Sequence, residues 1–222
     1  MKKRLTIVPI IASMVLAFGC GKAEDAAQPE TVEQAAEAEN LEEQTEPVEE
    51  VDNTDEAGHL LPEIDISGCD TFTQIVDKKL EPGMGYANEK IGEEDVLLVC
   101  DMTYDDLEGH MASIDSIIYS YIDGVPTEIG SVVAAGTAYP IAVEDGFLYV
   151  GRGHSISKYT IENSQLVHVV TAGVDYDTDG SERYYYQEGD GEPEILDNDE
   201  KYNQLANEYD DASIVDFTVV AE

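Results

Sequence analysis

Positive charge is scarce in this sequence. Its 222 residues include 11 Lys and Arg against 49 Asp and Glu, which gives a net charge of −38. Proteins that bind nucleic acid, or that attach electrostatically to anionic lipid, present the opposite sign of charge. The composition therefore argues against both kinds of partner. After residue 57 the chain has 35 acidic residues and a net charge near −28, and its seven bases are Lys78, Lys79, Lys90, Arg152, Lys158, Arg183 and Lys201.

Familiar catalytic motifs are also missing. H-E-x-x-H, G-x-S-x-G and a phosphate-binding loop do not occur in the sequence. S-x-x-K, a nucleophile motif that needs Ser and Lys on one face of a helix, occurs at residues 155–158. The surrounding pattern is that of a strand, where residues three apart point to opposite faces. The motif is therefore not interpreted as an active site, and no catalytic residue is predicted.

Histidine occurs four times, and no pair of histidines has the spacing of metal ligands. His110 and His154 could meet in space beside Asp105, Asp106 or Glu108 and form a metal or acid–base site. The alternative is that both are solvated histidines in loops.

Cysteine occurs only three times, and the first cysteine explains the beginning of the chain. Residues 2–4 are KKR, and residues 5–18 form an apolar run too short for a stable membrane span. Residues 17–20, AFGC, resemble the lipobox of bacterial lipoproteins, with Ala17 where that motif usually has leucine. The resemblance implies a signal peptide over residues 1–19, diacylglyceryl transfer to the Cys20 sulfur and cleavage before Cys20. Two or three acyl chains would anchor the protein to the extracytoplasmic face of the cell membrane.

Basic and aromatic residues are absent from residues 23–57, which include fourteen Asp and Glu. Such a segment cannot bury enough apolar surface to offset the entropy of ordering it. Residues 20–57 are therefore predicted to be the lipidated cysteine and a disordered acidic tether with a reach of roughly 30 Å. Residues 58–222 form the extracytoplasmic domain. An acidic tail that binds a basic partner is the alternative for the tether.

The remaining cysteines are Cys69 and Cys100. An extracytoplasmic location permits a disulfide between them, which would close a loop of about thirty residues. The alternative is two independent buried thiols, because sequence does not show whether their Cα atoms come within bonding range.

The domain is predicted to be mainly β, with two short helices and an antiparallel meander. Asp70 can cap a helix over residues 70–80, and residues 197–200 have capping-box spacing before a second helix. Tight-turn dipeptides recur between the apolar runs, which favours hairpins over alternating β-α units. A sandwich-like sheet pair, a propeller-like arrangement and an α+β fold all fit this pattern. The predicted strands are 95–101, 114–122, 128–135, 139–144, 147–151, 155–161, 165–171, 182–187 and 214–220.

Three segments of this domain are DVLLV at 95–99, GTAYPIAV at 136–143 and GFLYVGRGHSISKYTI at 146–161, and a strand-then-helix ending follows RYYYQEG. Together they resemble uncharacterised lipoproteins of anaerobic Gram-positive gut bacteria. The resemblance covers a third to a half of the chain. It implies an extracytoplasmic domain and no particular activity.

Two loops at one end of the predicted meander are candidates for ligand binding. Tyr139 could stack on a ligand, Arg152 could hold an anion such as a carboxylate or wall phosphate, and His154 could donate a hydrogen bond. The alternative is ordinary turn chemistry with one surface cation.

The sequence VDYDTDGSERYYY, residues 174–186, contains the opening of a calcium loop. Asp175, Asp177 and Asp179 stand at alternate positions before Gly180, as calcium ligands do in D-x-D-x-D-G. The twelfth position, where an EF-hand has a bidentate carboxylate, is Tyr186. The pattern indicates either a calcium site or the tip of a hairpin.

Three functions fit these features. The first is a noncatalytic binding or envelope-associated module that recognises a cell-wall or extracellular ligand and needs no cofactor. The second is a cell-surface hydrolase or metal-dependent enzyme built from scattered acidic residues. The third is a calcium-dependent adhesion module.

Overall fold

The computed structural model describes residues 61–222, which fold into two antiparallel sheets with one helix on the outer face of each. None of the helices in this range is long and apolar enough to cross a membrane. In chain order the elements are α1 (Phe72–Lys79), β1 (Gly85–Ile91), β2 (Glu94–Cys100), β3 (Tyr104–Asp105), β4 (Met111–Ala112), β5 (Asp115–Ile122), β6 (Val125–Val133), β7 (Ala142–Glu144), β8 (Phe147–Arg152), β9 (Ser155–Glu162), β10 (Gln165–Tyr176), β11 (Glu182–Glu188), β12 (Glu194–Leu196), α2 (Glu200–Asp211), β13 (Ser213–Ile214) and β14 (Thr218–Val219).

The strands form two large sheets and one small hairpin. The first sheet has five strands in the order β14-β1-β2-β5-β6, and the second has seven in the order β12-β11-β10-β9-β8-β7-β13. The hairpin β3–β4 stands apart as a two-stranded sheet. Strands β7 to β12 follow each other around the second sheet, so the predicted meander is confirmed there. The chain reaches the edges of both sheets with β13 and β14, which are two residues each.

The core lies between the two sheets. Strand β2 is buried on both faces, because Val96 and Leu98 point between the sheets while Leu97 and Val99 point outward towards α1. The outer side of the first sheet is covered by α1 through Ile75, which is fully buried. Two facing sheets with outer helices confirm the mainly β, sandwich-like prediction.

The hairpin turns use the dipeptides expected from the sequence. Asp123-Gly124 and Asp145-Gly146 adopt positive φ at both residues, with values from 50° to 80°. This conformation matches the twist of a two-residue hairpin loop. The two sheets are joined by a backbone hydrogen bond of 2.7 Å, which the amide of Gly92 in the β1–β2 turn donates to the carbonyl of Gly146.

Both helices begin slightly differently from the prediction. The N-cap of α1 is Thr71 instead of Asp70, and the Thr71 hydroxyl accepts a hydrogen bond from the Gln74 amide. The N-cap of α2 is Asp199, and its side chain makes no capping hydrogen bond. The Asn198 side chain accepts one from the Glu200 amide instead.

The disulfide between Cys69 and Cys100 is not formed. Both are buried free thiols, and they belong to different layers of the molecule. Cys69 packs with the residues under α1, whereas Cys100 points between the sheets. Burial raises the pKa of the Cys100 thiol to about 11. The structure therefore has the second alternative, two independent thiols.

The edges of the large sheets are short or interrupted. Strands β12, β13 and β14 are two or three residues long. The long edge strand is β6, which includes Pro126 and has one extra residue, Ile129, relative to its partner β5. This bulge and the proline leave gaps in the row of amide donors on β6.

Candidate ligand-binding groove

A groove of about 510 Å³ lies between α2 and the outer face of the second sheet. Its volume is within the range of small-molecule sites, about 300 to 1,000 Å³. Strands β8, β9, β10 and β11 supply one wall and α2 the other. The side chains that line it include Phe147, Lys158, Val169, Tyr186, Glu188, Lys201, Gln204, Leu205 and Glu208.

The position of α2 is set by its apolar face, as the sequence predicts. Leu205 is 4% exposed and packs against the outer face of the second sheet. Tyr209 extends further and donates a hydrogen bond of 2.8 Å to the carbonyl of Pro140. These contacts hold α2 across the strands, and the groove is the space that remains beside Leu205.

Lys158 is the most enclosed cation of the groove. Its side chain is 15% exposed, and its ammonium donates a hydrogen bond of 2.8 Å to Glu208. The same ammonium lies 4.0 Å from the ring centre of Phe147 and 5.2 Å from that of Tyr149. Burial acts to lower the pKa of Lys158, but hydrogen bonds to Glu208 and Tyr149 outweigh it and raise the pKa. Lys158 is therefore a charged group held by Glu208 and by the rings of Phe147 and Tyr149.

Lys201 occupies the other end of the groove and is held more loosely. Its ammonium lies 3.8 Å from the ring centre of Tyr186. Its acidic partner is Glu194, at 3.8 Å, and the two side chains are 43% and 71% exposed. Glu188 lies two residues after Tyr186 on β11 and therefore on the same face of the strand.

A second cavity, of about 840 Å³, opens between β6 and the β9–β10 hairpin. Its histidine, His168, already uses both ring nitrogens, at 2.7 Å from the carbonyl of Gly189 and 2.7 Å from the hydroxyl of Thr171. These bonds fix β10 against the loop after β11. The α2 groove is the better candidate because it holds lysine ammonium groups over aromatic rings, whereas the described residues that line the second cavity include no Lys or Arg.

The predicted recognition residues Tyr139, Arg152 and His154 lie around the β8–β9 turn but are engaged within the protein. The Tyr139 ring packs so closely on Gly151 that a Cβ there would stand 2.7 Å from it, and the Tyr139 hydroxyl donates to the carbonyl of Gly153. Arg152 donates through Nε to the carbonyl of Val133 at 3.1 Å. The His154 ring lies edge-on to that of Tyr176. These contacts favour turn chemistry over ligand binding.

His110 and Asp106 form a close pair, but His154 is not part of it. His110 Nδ1 lies 2.6 Å from Asp106 Oδ2, beside a cavity of about 450 Å³ that Tyr209 also lines. Asp106 Oδ1 accepts from the amides of Glu108, Gly109 and His110, so this carboxylate also shapes the turn before β4. Amide donation, first from His110, lowers the pKa of Asp106 to about 2, and Asp106 in turn raises the pKa of His110.

The substitution Asp106→Asn is expected to lower the pKa of His110 towards its ordinary value near 6.5. Asparagine keeps the oxygen that caps the turn but loses the charge. The pair stabilises the turn while Asp106 is ionised and His110 is protonated. That contribution weakens as pH rises through the raised pKa of His110, and again as pH falls towards 2. An NMR titration of the His110 ring measures this directly, with the His154 signal as internal reference. An identical His110 titration in the variant would contradict the pairing.

In the structure the three aspartates of the predicted calcium site have partners within the β10–β11 hairpin. Arg183 lies 3.2 Å from the carboxylate of Asp175 and 3.6 Å from that of Asp177. Asp179 accepts hydrogen bonds from the amide and hydroxyl of Ser181. Among residues 61–222 no group of three His, Cys, Asp or Glu is arranged to hold a metal ion. These contacts favour the alternative, in which the aspartates stabilise the tip of the β10–β11 hairpin.

The S-x-x-K segment lies in β9, as the sequence predicts. Ser155 donates to the carbonyl of Arg152, while Lys158 points into the groove on the other face of the strand. Sequence reasoning did not identify Phe147, Lys158, Tyr186 or Lys201 as groove residues. One feature of the sequence does point to the groove. Strands β8 and β11 have aromatic residues at alternate positions, which indicates that another element packs on that face of the sheet.

Comparison with known proteins found no matching protein-family model, curated protein or solved structure. The function of the groove is therefore inferred from its own residues.

Proposed function

We propose that the protein is a membrane-anchored extracytoplasmic lipoprotein whose domain is a noncatalytic binding module with the α2 groove as its binding site. The lipobox-like residues before Cys20 and the acidic segment after it support the anchor and the tether. The observation that supports binding is the groove itself, a cavity of about 510 Å³ with aromatic, apolar and charged walls.

The chemistry of the groove suits recognition better than catalysis. Phe147 and Tyr186 offer ring faces, Leu205 offers an apolar floor, and Lys158 and Glu208 neutralise each other by direct contact. A few polar groups held in fixed positions within an apolar pocket set the orientation of a ligand. A general acid or base would instead need a proton that moves near neutral pH.

A cell-surface hydrolase is the second candidate, and the His110–Asp106 pair is the observation that favours it. A histidine oriented by a carboxylate is a common acid–base arrangement. Here the carboxylate is committed to three backbone amides of its own turn. This explains the pair as a structural device, so binding remains the first proposal.

The test of the groove is a binding screen with a substitution that fills it. The full-length protein is screened by thermal shift against glycans, cell-wall fragments, and small organic cations and anions. We expect at least one compound to raise the melting temperature, and Gln204→Trp to abolish that shift by placing an indole in the groove. The control is Asn203→Trp on the exposed side of α2. A ligand-induced shift that survives Gln204→Trp would place the binding site elsewhere.

A further inference from the structure

The groove holds ammonium groups over aromatic rings at two places. Lys158 lies over Phe147, and Lys201 lies over Tyr186 at 3.8 Å. An ammonium over a ring face is attracted by the electron-rich π system. The ring of Phe147 and the ring of Tyr186 therefore each have a face on which an ammonium group can lie.

The two lysines differ in how firmly they are bound. Lys158 is 15% exposed and makes a 2.8 Å hydrogen bond to Glu208, which is itself fixed by Gln204. Lys201 has no hydrogen bond to its partner, since Glu194 is 3.8 Å away and largely exposed. Exposed pairs at this distance are weak and are screened by salt. The ring face of Tyr186 is therefore covered by a group that can move away.

Two carboxylates of the groove lie near the Tyr186 ring. Glu188 follows on the same face of β11, and Glu208 lines the groove from α2, where it is paired with Lys158. Burial, and then Glu188 and Glu208, raise the pKa of the Tyr186 hydroxyl, while Lys158 acts in the opposite direction. The whole domain is near −28 in charge, which repels anions and raises the local concentration of cations.

We propose that the groove binds a small organic ammonium compound, whose cationic group replaces Lys201 over Tyr186 beside Glu188. The ligand's carbon skeleton then lies along Val169 and Leu205, on the floor of the groove. This inference rests on the proposed binding function and adds the class of ligand. An anion is disfavoured because Lys158 is already neutralised by Glu208 and because the surrounding charge is negative.

The test is the removal of Lys201, which is expected to strengthen ligand binding and not to weaken it. Choline chloride is titrated into the full-length protein by calorimetry at constant ionic strength. Because Lys201 competes for the ring face, Lys201→Ala is expected to tighten choline binding by about threefold or more. Tyr186→Leu is expected to weaken choline binding by about threefold or more, because the substitution removes the aromatic ring but keeps an apolar side chain.

Lys78→Ala is the matched control, because it removes the same charge from an exposed position on α1, the helix of the other sheet. If both lysine variants tighten binding equally, the effect is only the net charge and the proposal is overturned. Weaker choline binding in Lys201→Ala, or tighter binding of sodium acetate than of choline, would overturn it too. Suppose that Gln204→Trp abolishes the shift caused by a compound of the screen, but choline does not bind. This result refutes the class of ligand and leaves the groove as the binding site. If no compound gives a shift that depends on Gln204, the groove itself is refuted as the binding site, whatever the class of ligand.

Discussion

Replacement of Gly92 by alanine is expected to destabilise the domain by about 3 kcal/mol. The added Cβ would lie 2.3 Å from the carbonyl oxygen of Ile161, which belongs to the backbone of β9 and cannot rotate away. Gly92 also has φ of +60°, a conformation that disfavours alanine. The clash would push apart the β1–β2 turn and the second sheet where Gly92 bonds to Gly146. Urea denaturation followed by circular dichroism measures the loss.

The matched control for Gly92→Ala is Gly124→Ala in the β5–β6 turn. Gly124 also has a positive φ, +80°, but nothing lies within 4 Å of its added Cβ. Gly124→Ala is expected to lower the free energy of unfolding by only about 1 kcal/mol, because alanine disfavours the positive φ. The difference between the two variants isolates the clash at the junction of the sheets. Equal losses would show that the sheets do not approach each other at Gly92.

Cys20→Ala is expected to abolish covalent lipid labelling of the protein completely. In bacterial lipoproteins the diacylglyceryl group attaches through a cysteine sulfur, and alanine offers no nucleophile in its place. Cys20 lies outside the residues that the structure describes, so this prediction rests on the sequence. Cells that express each variant are labelled with a radioactive fatty acid, and incorporation into the purified protein is measured.

Cys69→Ala is the control for the lipid labelling. Cys69 is a buried thiol under α1, and its removal is expected to leave the label intact. Label that persists in Cys20→Ala would refute the lipoprotein proposal. Loss of the label in both variants would point to a folding or export defect, which the amount of secreted protein distinguishes.

Much of the β structure could be predicted because local turn chemistry and apolar patterning agree there. Strand β1, residues 85–91, was missed because GYANEKI has few residues that favour strands. Its conformation is fixed by seven consecutive pairs with β2, so tertiary pairing overrides local preference. The last predicted strand, residues 214–220, is divided between both sheets as β13 and β14.

The groove could not be predicted because its parts are distant in the sequence. Phe147 and Lys201 are more than fifty residues apart and meet only because α2 crosses the second sheet. The calcium motif shows the opposite case, since its aspartates are close in sequence but their carboxylates bond to Arg183 and Ser181. Spacing identifies a site only when the side chains are left free to converge.

The interrupted edges of the two large sheets have a consequence for self-association. A long, regular edge strand is a template on which another copy can add a strand and begin to aggregate. Three edge strands here are too short for that, and β6 carries Pro126 and the extra residue Ile129. These interruptions disfavour edge-to-edge pairing at β6 and at the three short strands. Substitution of Pro126 is the change that we expect to favour strand addition at β6, and with it aggregation of this domain.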